Sequence, residues 1–460
     1  MSQGPRAGWW RLLSAVEDES LGGDRVATDS GGRDSDSAVA FGGLMIFTFI
    51  LLTAPQRSFP ALAPFRIALL TATVAIAAHL VHQFRRRQPA MTLTREIWVT
   101  AGLVGWAIVT VPLSEWPGGS VSFLLGTYLK ALAIFWLLSN AVNSLTRLRR
   151  ITWGLSLAGV PVAATAVDHF LSNAFLPGER VNRIVGYNAP LTENPNDLAL
   201  MLNLILPLAV ALVMLTRHRL ARALLLVIIV LDVTGVIVTF SRAGFLTMAA
   251  TFVMYLSKLR RRTERGWALA ILVLAPGCVP LLPSGYSDRL STIVDIQSDR
   301  TGSAQARWSD TVAAARFVMK HPIVGAGVGM DTLALNEERG ATWTAVHNAY
   351  LEYAVDLGIP GLAMFLLLLV WCVRNTTFVQ RRSAAVPALR EFFYLAEGIQ
   401  ISLIASAVAA LFHPAGYQFY FYYIAGLAVA LKAVYNEAAV DQHPSSSREG
   451  VRGRAEEARR

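Results

Sequence analysis

The chain has 460 residues, of which 54% are hydrophobic and 16% are charged, and its mean hydropathy is +0.45. A soluble domain carries about a quarter charged residues, and the apolar residues here come in long runs, so composition excludes a string of soluble domains. The net charge of +10 includes 37 Arg and only 4 Lys. In a membrane protein such an excess concerns topology, so no nucleic acid is expected as a partner. The two cysteines lie inside apolar runs, which excludes a disulfide scaffold.

Apolar segments long enough to cross a bilayer recur from Ser37 onward. Residues 1–36 are rich in Gly, Ser, Asp and Arg and predict a disordered cytoplasmic tail with no signal peptide. No segment alternates like a barrel strand, so the sequence predicts an all-α polytopic bundle. Twelve spans are predicted, at 38–54, 63–83, 97–113, 121–142, 151–171, 197–215, 220–240, 243–257, 267–283, 349–373, 393–412 and 417–435.

These spans divide the chain into five regions. After the tail, 37–283 holds the first nine helices, 284–348 is a long external loop, 349–435 holds the last three helices, and 436–460 is a second cytoplasmic tail. If the N-terminus is inside, the short inner loops hold 19 Arg and Lys and the short outer loops hold 4. By the positive-inside rule both termini are cytoplasmic.

The few basic residues of the short outer loops are unfavourable for the predicted orientation, so their presence there calls for a separate explanation. They are Arg57, Arg180, Arg183 and Arg242. An anionic ligand on the outer face is the simplest reason. In the long loop, 306–322 predicts an amphipathic helix with Trp308 and Met319 on its apolar face. Contact with lipid and packing on top of the bundle both remain open for that helix.

Two charged residues, Lys130 and Asp232, are expected about 12–15 Å deep in helices four and seven. The favoured interpretation is a structural ion pair between the two helices. A proton relay is the alternative, but the sequence offers no chain of further carboxylates for it.

The segment 346–369 interrupts an apolar run with His347-Asn348 and, after nine residues, with Gly358-Ile-Pro-Gly361. The Gly358–Gly361 step should break the helix and leave a short His-bearing helix before a spanning one. A neutral His at the membrane boundary can act as a general base. A lone interfacial His is more often simply hydrogen-bonded, so His347 alone does not define a function.

Four stretches together resemble the bacterial O-antigen ligase family, which includes O-antigen ligases, exopolysaccharide polymerases and some protein oligosaccharyltransferases. They cover roughly 180–375 in the order of the family. The four are the His347–Gly361 pattern, ENPNDLALMLNLILPLA (193–209), TFSRAGFLTMAATFVMYL (239–256) and RWSDTVAAARFVMKHPIVGAGVG (307–329).

The resemblance implies a membrane glycosyltransferase bundle of the GT-C-like type, with about twelve helices and a long periplasmic loop before helix ten. The donor would be a glycan on undecaprenyl diphosphate, and the acceptor would be a lipid or glycan hydroxyl. The protein would be located in a bacterial inner membrane. Neither a metal nor another cofactor would be required. Membrane lipid would be a further partner.

The resemblance also assigns roles to residues of this chain. His347 matches the histidine of the family and would be the base, and Arg242 matches its turn arginine and would hold the diphosphate. An arginine of the third outer loop would share that task, and of Arg180 and Arg183 the latter is favoured. The remaining candidates are Arg289 for the diphosphate and Asn348, Glu352 and Asp197 as supporting residues.

Three functions stay open on the sequence. A ligase would move a finished polysaccharide onto lipid A–core or another acceptor, and a polymerase would move the growing chain onto the next lipid-linked unit. The Asn after His347 and the full glycine spacing slightly favour the ligase. A small-anion transporter, for instance of bicarbonate, is disfavoured because the two halves show no internal repeat and the candidate residues gather at one surface.

Overall fold

The structure, a computed structural model, describes residues 35–89, 91–177, 183–260, 285–293, 302–339 and 343–442. Over these ranges the chain is helical and contains no β-strand, only an isolated bridge between Phe175 and Ile184. The longer helices are α1 (Ser35–Thr53), α2 (Ile67–Arg85), α3 (Arg95–Thr110), α4 (Pro117–Ala141, with a π-helical turn), α5 (Leu145–Leu171), α6 (Pro195–Leu215), α7 (Arg219–Val238), α8 (Arg242–Leu259), α9 (Tyr286–Ser291), α10 (Ser303–Lys320), α11 (Asp331–Arg339), α12 (Ala349–Ser383), α13 (Arg390–Ala409) and α14 (Phe419–Gln442). Short turns lie at Pro55–Ser58, Pro60–Phe65, Val111–Leu113 and Pro387–Leu389.

Eight helical segments of the described chain are long and apolar enough to cross a membrane. They are Pro60–Arg85, Arg95–Leu113, Pro117–Ala141, Leu145–Leu171, Pro195–Leu215, Arg219–Val238, Ala349–Ser383 and Pro387–Ala409. The prediction of an all-α polytopic membrane protein is therefore confirmed. The count of twelve stays a prediction, and the predicted span 267–283 lies outside the described residues. Helix α14 continues to Gln442, beyond the predicted end at 435.

The bundle has a protein-covered centre and a lipid-facing rim. In the most apolar 18-residue stretch of each helix, 83% of α6 and 78% of α13 is buried. These two helices pack against each other. Around them stand α5, α7, α8, α12 and α14. At the rim, only 6% of the corresponding stretch in the segment Pro60–Arg85, which contains α2, is buried, because α2 packs mainly against α1. Apolar side chains on the outside of a bundle are what a bilayer solvates.

The loops collect at two ends of the bundle. At the first end, which we call the basic end, Arg147 Nη2 donates to Ser37 Oγ over 2.6 Å, and Lys258 Nζ donates to Gln380 Oε1 over 2.8 Å. At the opposite end, which we call the site end, Arg57 pairs with a glutamate that precedes α6. These contacts place Arg147 beside the start of α1 and Lys258 beside α12.

Helix α10 packs on the bundle by a face other than the predicted apolar one. Asp310 and Phe317 belong to its buried face, together with two alanines. Trp308 and Met319 are 66% and 74% exposed. The predicted stripe of Trp308 and Met319 therefore does not pack on top of the bundle.

Helix α12 is broken where the sequence predicts it, since Gly358 has φ 67° and ψ −172°. A broken helix leaves backbone carbonyl groups without partners, and the segment after α10 and Trp106 of α3 supply donors for them here. The donors and acceptors are Ala326 N to Val355 O (2.7 Å), Gly327 N to Asp356 O (2.8 Å) and Trp106 Nε1 to Leu357 O (2.8 Å). The glycine-rich step after α10 is thus part of the break.

The first piece of α12 does not carry the histidine. The helix begins at Ala349, and Asn348 is its N-cap, with Oδ1 accepting from Tyr350 N at 3.0 Å. His347 lies immediately before the cap. The predicted His-bearing helix is therefore wrong in this respect, because Asn is a strong N-cap residue and ends the preceding loop there.

The backbone at Gly358 yields a stability prediction. Its φ and ψ fall in a region that only glycine occupies readily, which costs other residues about 1–3 kcal/mol. A Cβ at this position would also lie 2.1 Å from Ile323 O. We expect Gly358→Ala to lower the thermal unfolding temperature of the detergent-purified protein sharply. Gly105→Ala is the matched control, because a Cβ there meets nothing within 4 Å; equal unfolding temperatures for the two variants would contradict the prediction.

The predicted ion pair between Lys130 and Asp232 is wrong. Lys130 is exposed on α4, whereas Asp232 is fully buried on α7. Neither carboxylate oxygen of Asp232 has a hydrogen-bond partner within the described ranges. The physical reason is that α4 packs against α14, whereas α7 packs against α5 and α6. Similar depth in the bilayer did not imply proximity.

A double-mutant cycle can test this separation. We expect the effects of Lys130→Ala and Asp232→Asn on unfolding free energy to add within about 0.5 kcal/mol, as distant sites do. Lys130→Ala alone should change little, because its side chain is exposed. The measurement is thermal or denaturant unfolding of the four purified proteins. A coupling energy above about 1 kcal/mol would restore the ion pair.

Candidate active site

At the start of α6, the predicted diphosphate ligand Arg183 is linked to the turn that carries a second one, Arg242. An antiparallel bridge joins Phe175 to Ile184 in the loop between α5 and α6. Arg183, next to this bridge, donates from Nη2 to Asn196 Oδ1 over 3.0 Å. Ser241 Oγ donates to the same oxygen over 2.8 Å. Asn196 therefore joins Arg183 to the turn that carries Arg242. Arg180, the alternative to Arg183, lies outside the described residues.

Arg242 is the first residue of α8 and is 9% exposed. Ser241 caps this helix by accepting from Gly244 N at 3.1 Å. The Arg242 guanidinium donates to Thr292 Oγ1 over 2.8 Å and to Ser303 Oγ over 3.3 Å. A helix N-terminus with a guanidinium beside it favours an anion. Arg289 lies in α9, and its side chain falls outside the described residues.

One face of α10 extends from this arginine towards the histidine. Ser303, Arg307 and Asp310 are spaced i, i+4 and i+7, which places them on one side of the helix. The distance along the axis from Ser303 to Asp310 is about 10 Å, at 1.5 Å per residue. Ser303 contacts Arg242, and Asp310 contacts His347. The helix therefore brings the candidate anion ligand and the candidate base to one site.

His347 is held beside an acid that is itself anchored. Its Nδ1 lies 3.9 Å from Asp310 Oδ2, and Asp310 Oδ1 accepts from Arg339 Nη1 at 2.5 Å. The His347 side chain is 38% exposed, so a substrate can reach it. Burial, with Arg307 second, lowers the pKa of His347 from its usual value, although Asp310 opposes this. The imidazole is therefore neutral near pH 7 and can accept a proton.

Asp310 and Arg339 are functional candidates that the motifs did not reveal. Arg339 Nη2 also donates to Thr344 O over 2.6 Å, and Asp331 Oδ2 accepts from Val346 N at 3.0 Å. Helix α11 thereby fixes the backbone on which His347 sits. Asp310 lies inside the family-like stretch 307–329, but the resemblance assigned it no role, and Arg339 lies in none of the four stretches.

The predicted supporting residues mostly organise backbone. Asn348 caps α12, and Glu352 Oε2 accepts from Gly416 N at 2.9 Å. Asp197 is half-buried in the first turn of α6, next to Asn196. His413 also belongs to this frame, since its Nε2 lies 3.1 Å from Asn196 O, and burial lowers its pKa to about 4. Asn348 and His413 thus contact the backbone beside His347 and at Asn196.

The fold and the site define a multi-pass membrane protein with arginines and an acid-supported histidine at one end of a helical bundle. Residues 226–366 match the family described as O-antigen ligase. The matched segment contains Arg242, Arg307, Asp310, Arg339 and His347, and the resemblance seen in the sequence is confirmed over it. A comparison with curated proteins found no match. Residues 226–366 of this multi-pass membrane protein are thus similar to the O-antigen ligase family.

Proposed function

We propose that the protein is an O-antigen ligase-like glycosyltransferase that moves a glycan from undecaprenyl diphosphate to an acceptor hydroxyl. The observation that carries the proposal is the placement of Arg242 and His347 along one face of α10, inside the segment that matches the O-antigen ligase family. Arg183, joined to the same turn through Asn196, supplies a second guanidinium.

The proposed reaction is a single displacement. The acceptor oxygen attacks the anomeric carbon while the bond from that carbon to the diphosphate oxygen breaks. The acceptor proton goes to His347, and the negative charge that develops on the departing diphosphate is stabilised by Arg242 and Arg183. Guanidinium groups bind phosphate oxygens in pairs and need no proton transfer to do so. In-line attack would invert the configuration at the sugar.

Asp310 is proposed to support the base. When His347 takes the acceptor proton it becomes an imidazolium, and a carboxylate 3.9 Å away stabilises that charge. Arg339 keeps Asp310 in place, and the Asn348 cap and the Asp331 contact with Val346 keep the histidine backbone in place.

The membrane orientation is part of the proposal. The predicted inner loops hold most of the short-loop arginines, so the basic end would face the cytoplasm and both termini would be cytoplasmic. The site end would then face the periplasm of a bacterial inner membrane. A finished lipid-linked glycan is available on that face.

Glycan profiling of a deletion strain tests the proposal. A ligase deletion should accumulate long polymer on the lipid carrier and lose the acceptor-linked form, and the wild-type gene should restore it. Accumulation of single lipid-linked repeat units would instead indicate the polymerase. An unchanged glycan profile would contradict both, and uptake of labelled bicarbonate by proteoliposomes would then favour the transporter.

Independence from divalent metal is a further prediction. Because arginines are proposed to stabilise the leaving diphosphate, EDTA should leave the transfer rate of the purified protein unchanged within about twofold. The measurement is transfer from a lipid-linked donor with and without chelator. Loss of activity that magnesium restores would contradict the arginine-based mechanism.

A further inference from the structure

A polar cavity of about 90 Å³ lies at the basic end, between α1, α2, α4 and α5 and away from the candidate active site. Four of its lining side chains are Arg or His, and its other polar lining groups are Ser, Asn and Gln. Among the residues whose side chains the structure describes, no Asp or Glu lines it. The basic lining residues are His79, His82, Arg86 and Arg147, and Gln83 lies between two of them on α2.

Three hydrogen bonds help to hold Arg147 in place at the cavity. Its Nη1 donates to Ala141 O and to Asn143 Oδ1, each over 3.0 Å, and its Nη2 donates to Ser37 Oγ. Its guanidinium also lies 5.3 Å from the ring centre of Phe41. A guanidinium positioned in this way loses little conformational freedom when it binds a phosphate group.

Helix α2 contributes a stripe of polar residues to the cavity. His79, His82, Gln83 and Arg86 are spaced i, i+3, i+4 and i+7, which is one side of a helix. His79 is only 5% exposed, and its ring lies edge-on to Trp136 with the centres 5.3 Å apart.

The opposite side of the same turns of α2 is apolar and exposed. Leu80, Val81 and Phe84 are 41%, 45% and 85% exposed. Since α2 stands at the rim of the bundle, these side chains face the bilayer. The mouth of a basic cavity and a lipid-facing surface thus share two turns of one helix.

We propose that this cavity binds a phosphate group and that the phosphate belongs to the headgroup of an anionic membrane lipid. Two arginines and two histidines suit a phosphate diester, and basic pockets between helices at a membrane surface bind anionic headgroups. The apolar face of Leu80, Val81 and Phe84 would receive the acyl chains. A free phosphate ion would use the same cationic groups without needing that face.

The test uses the full chain purified in detergent, with thermal unfolding as the measurement. Three probes are titrated: dioctanoyl phosphatidylglycerol, dioctanoyl phosphatidylcholine and inorganic phosphate. We expect phosphatidylglycerol to raise the unfolding temperature in a saturable way and phosphatidylcholine not to. Arg147→Gln and Arg86→Gln should each weaken the apparent affinity for phosphatidylglycerol about tenfold or more, as a lost charged hydrogen bond does.

Two matched controls carry the same charge change outside the cavity. Arg150→Gln lies one turn along α5 from Arg147, and Arg85→Gln precedes Arg86; neither residue lines the cavity. Both should keep wild-type affinity. If Arg147→Gln fails to fold, because it loses its contacts with Ser37 and Ala141, Gln83→Glu provides the test. It keeps the side-chain shape, adds a negative charge to the cavity and should abolish the stabilisation.

The outcomes separate the two sources of phosphate. Stabilisation by inorganic phosphate at the concentrations at which phosphatidylglycerol acts would support the phosphate site but overturn the lipid assignment. Equal stabilisation by the two lipids, or unchanged affinity in both Gln83→Glu and Arg86→Gln, would overturn the site.

Discussion

Replacement of His347 by alanine is expected to lower the rate of glycan transfer by a factor of about 10²–10⁴, the usual contribution of a general base. The side chain is part-exposed and precedes the cap of α12, so its loss should not disturb the fold. The measurement is transfer from a lipid-linked donor to the acceptor, normalised to protein in the membrane. His321→Ala is the matched control, since His321 stacks on Phe317 at the end of α10. Wild-type transfer by His347→Ala would remove this residue from the mechanism.

The pH dependence of transfer should identify the base. Burial lowers the pKa of His347, so the neutral, proton-accepting form persists below the usual histidine pKa of about 6.5. Transfer should therefore be independent of pH between about 6.5 and 8 and fall only at more acidic pH. Asp310→Asn removes a charge that raises the pKa of His347, so the acidic limb should move to still lower pH while the rate falls. A merely structural role of Asp310 would leave the limb in place.

Replacement of Arg242 by alanine is expected to lower transfer by a factor of about 10²–10³, because a pre-positioned charge would be missing where the leaving group becomes more negative. Arg242→Lys should recover only part of the loss, since lysine cannot bind two phosphate oxygens in the fork geometry of arginine. Part of the effect should be a higher KM for the lipid-linked donor. The measurement is the same transfer assay over a series of donor concentrations.

The control for Arg242 is another arginine of the site end. Arg57 pairs with Glu193 over 3.0 Å and is part-exposed, so Arg57→Ala removes the same charge away from the proposed diphosphate. We expect near wild-type transfer from Arg57→Ala. An equal loss of transfer in Arg57→Ala and Arg242→Ala would indicate that the overall positive electrostatic potential of the site end matters. It would contradict a specific contact between Arg242 and the diphosphate.

Much of the fold follows from local sequence. Length and hydropathy alone define a spanning helix, so the long apolar runs were predictable. The break of α12 was also predictable, because glycine is required for the backbone at Gly358. The helix begins at Ala349, where the predicted span begins, but His347 was wrongly placed inside a helix, since the capping role of Asn348 depends on the path of the chain before it.

The wrong predictions concern the rotation of helices about their own axes and the residues that each helix face contacts. Lys130 and Asp232 were paired by depth, but depth leaves open which way each helix turns its side chain. On α10, apolar spacing marked the side of Trp308 and Met319, yet the helix packs through Asp310 and Phe317. In a membrane protein an apolar stripe does not distinguish contact with protein from contact with lipid.

The site was predictable only in part. Arg242 and His347 could be found because they sit in motifs with recognisable neighbours. The pairing of Asp310 with Arg339 could not be found, although Asp310 lies inside the stretch 307–329, since the two residues are 29 apart in the chain and meet only when α10 and α11 fold against each other.

The joint between the external segment and the broken helix has a consequence for chimeric proteins. Backbone hydrogen bonds connect 326–327 to 355–356, and Ile359 N donates to Pro322 O over 2.8 Å. The glycines of the external segment approach the helix backbone so closely that a Cβ at Gly325 would lie 2.4 Å from Val355 O. The two stretches therefore form one structural unit, in which each depends on the other. A loop transplanted from a relative should fold here only if both sides of the joint, 322–330 and 355–359, are exchanged together.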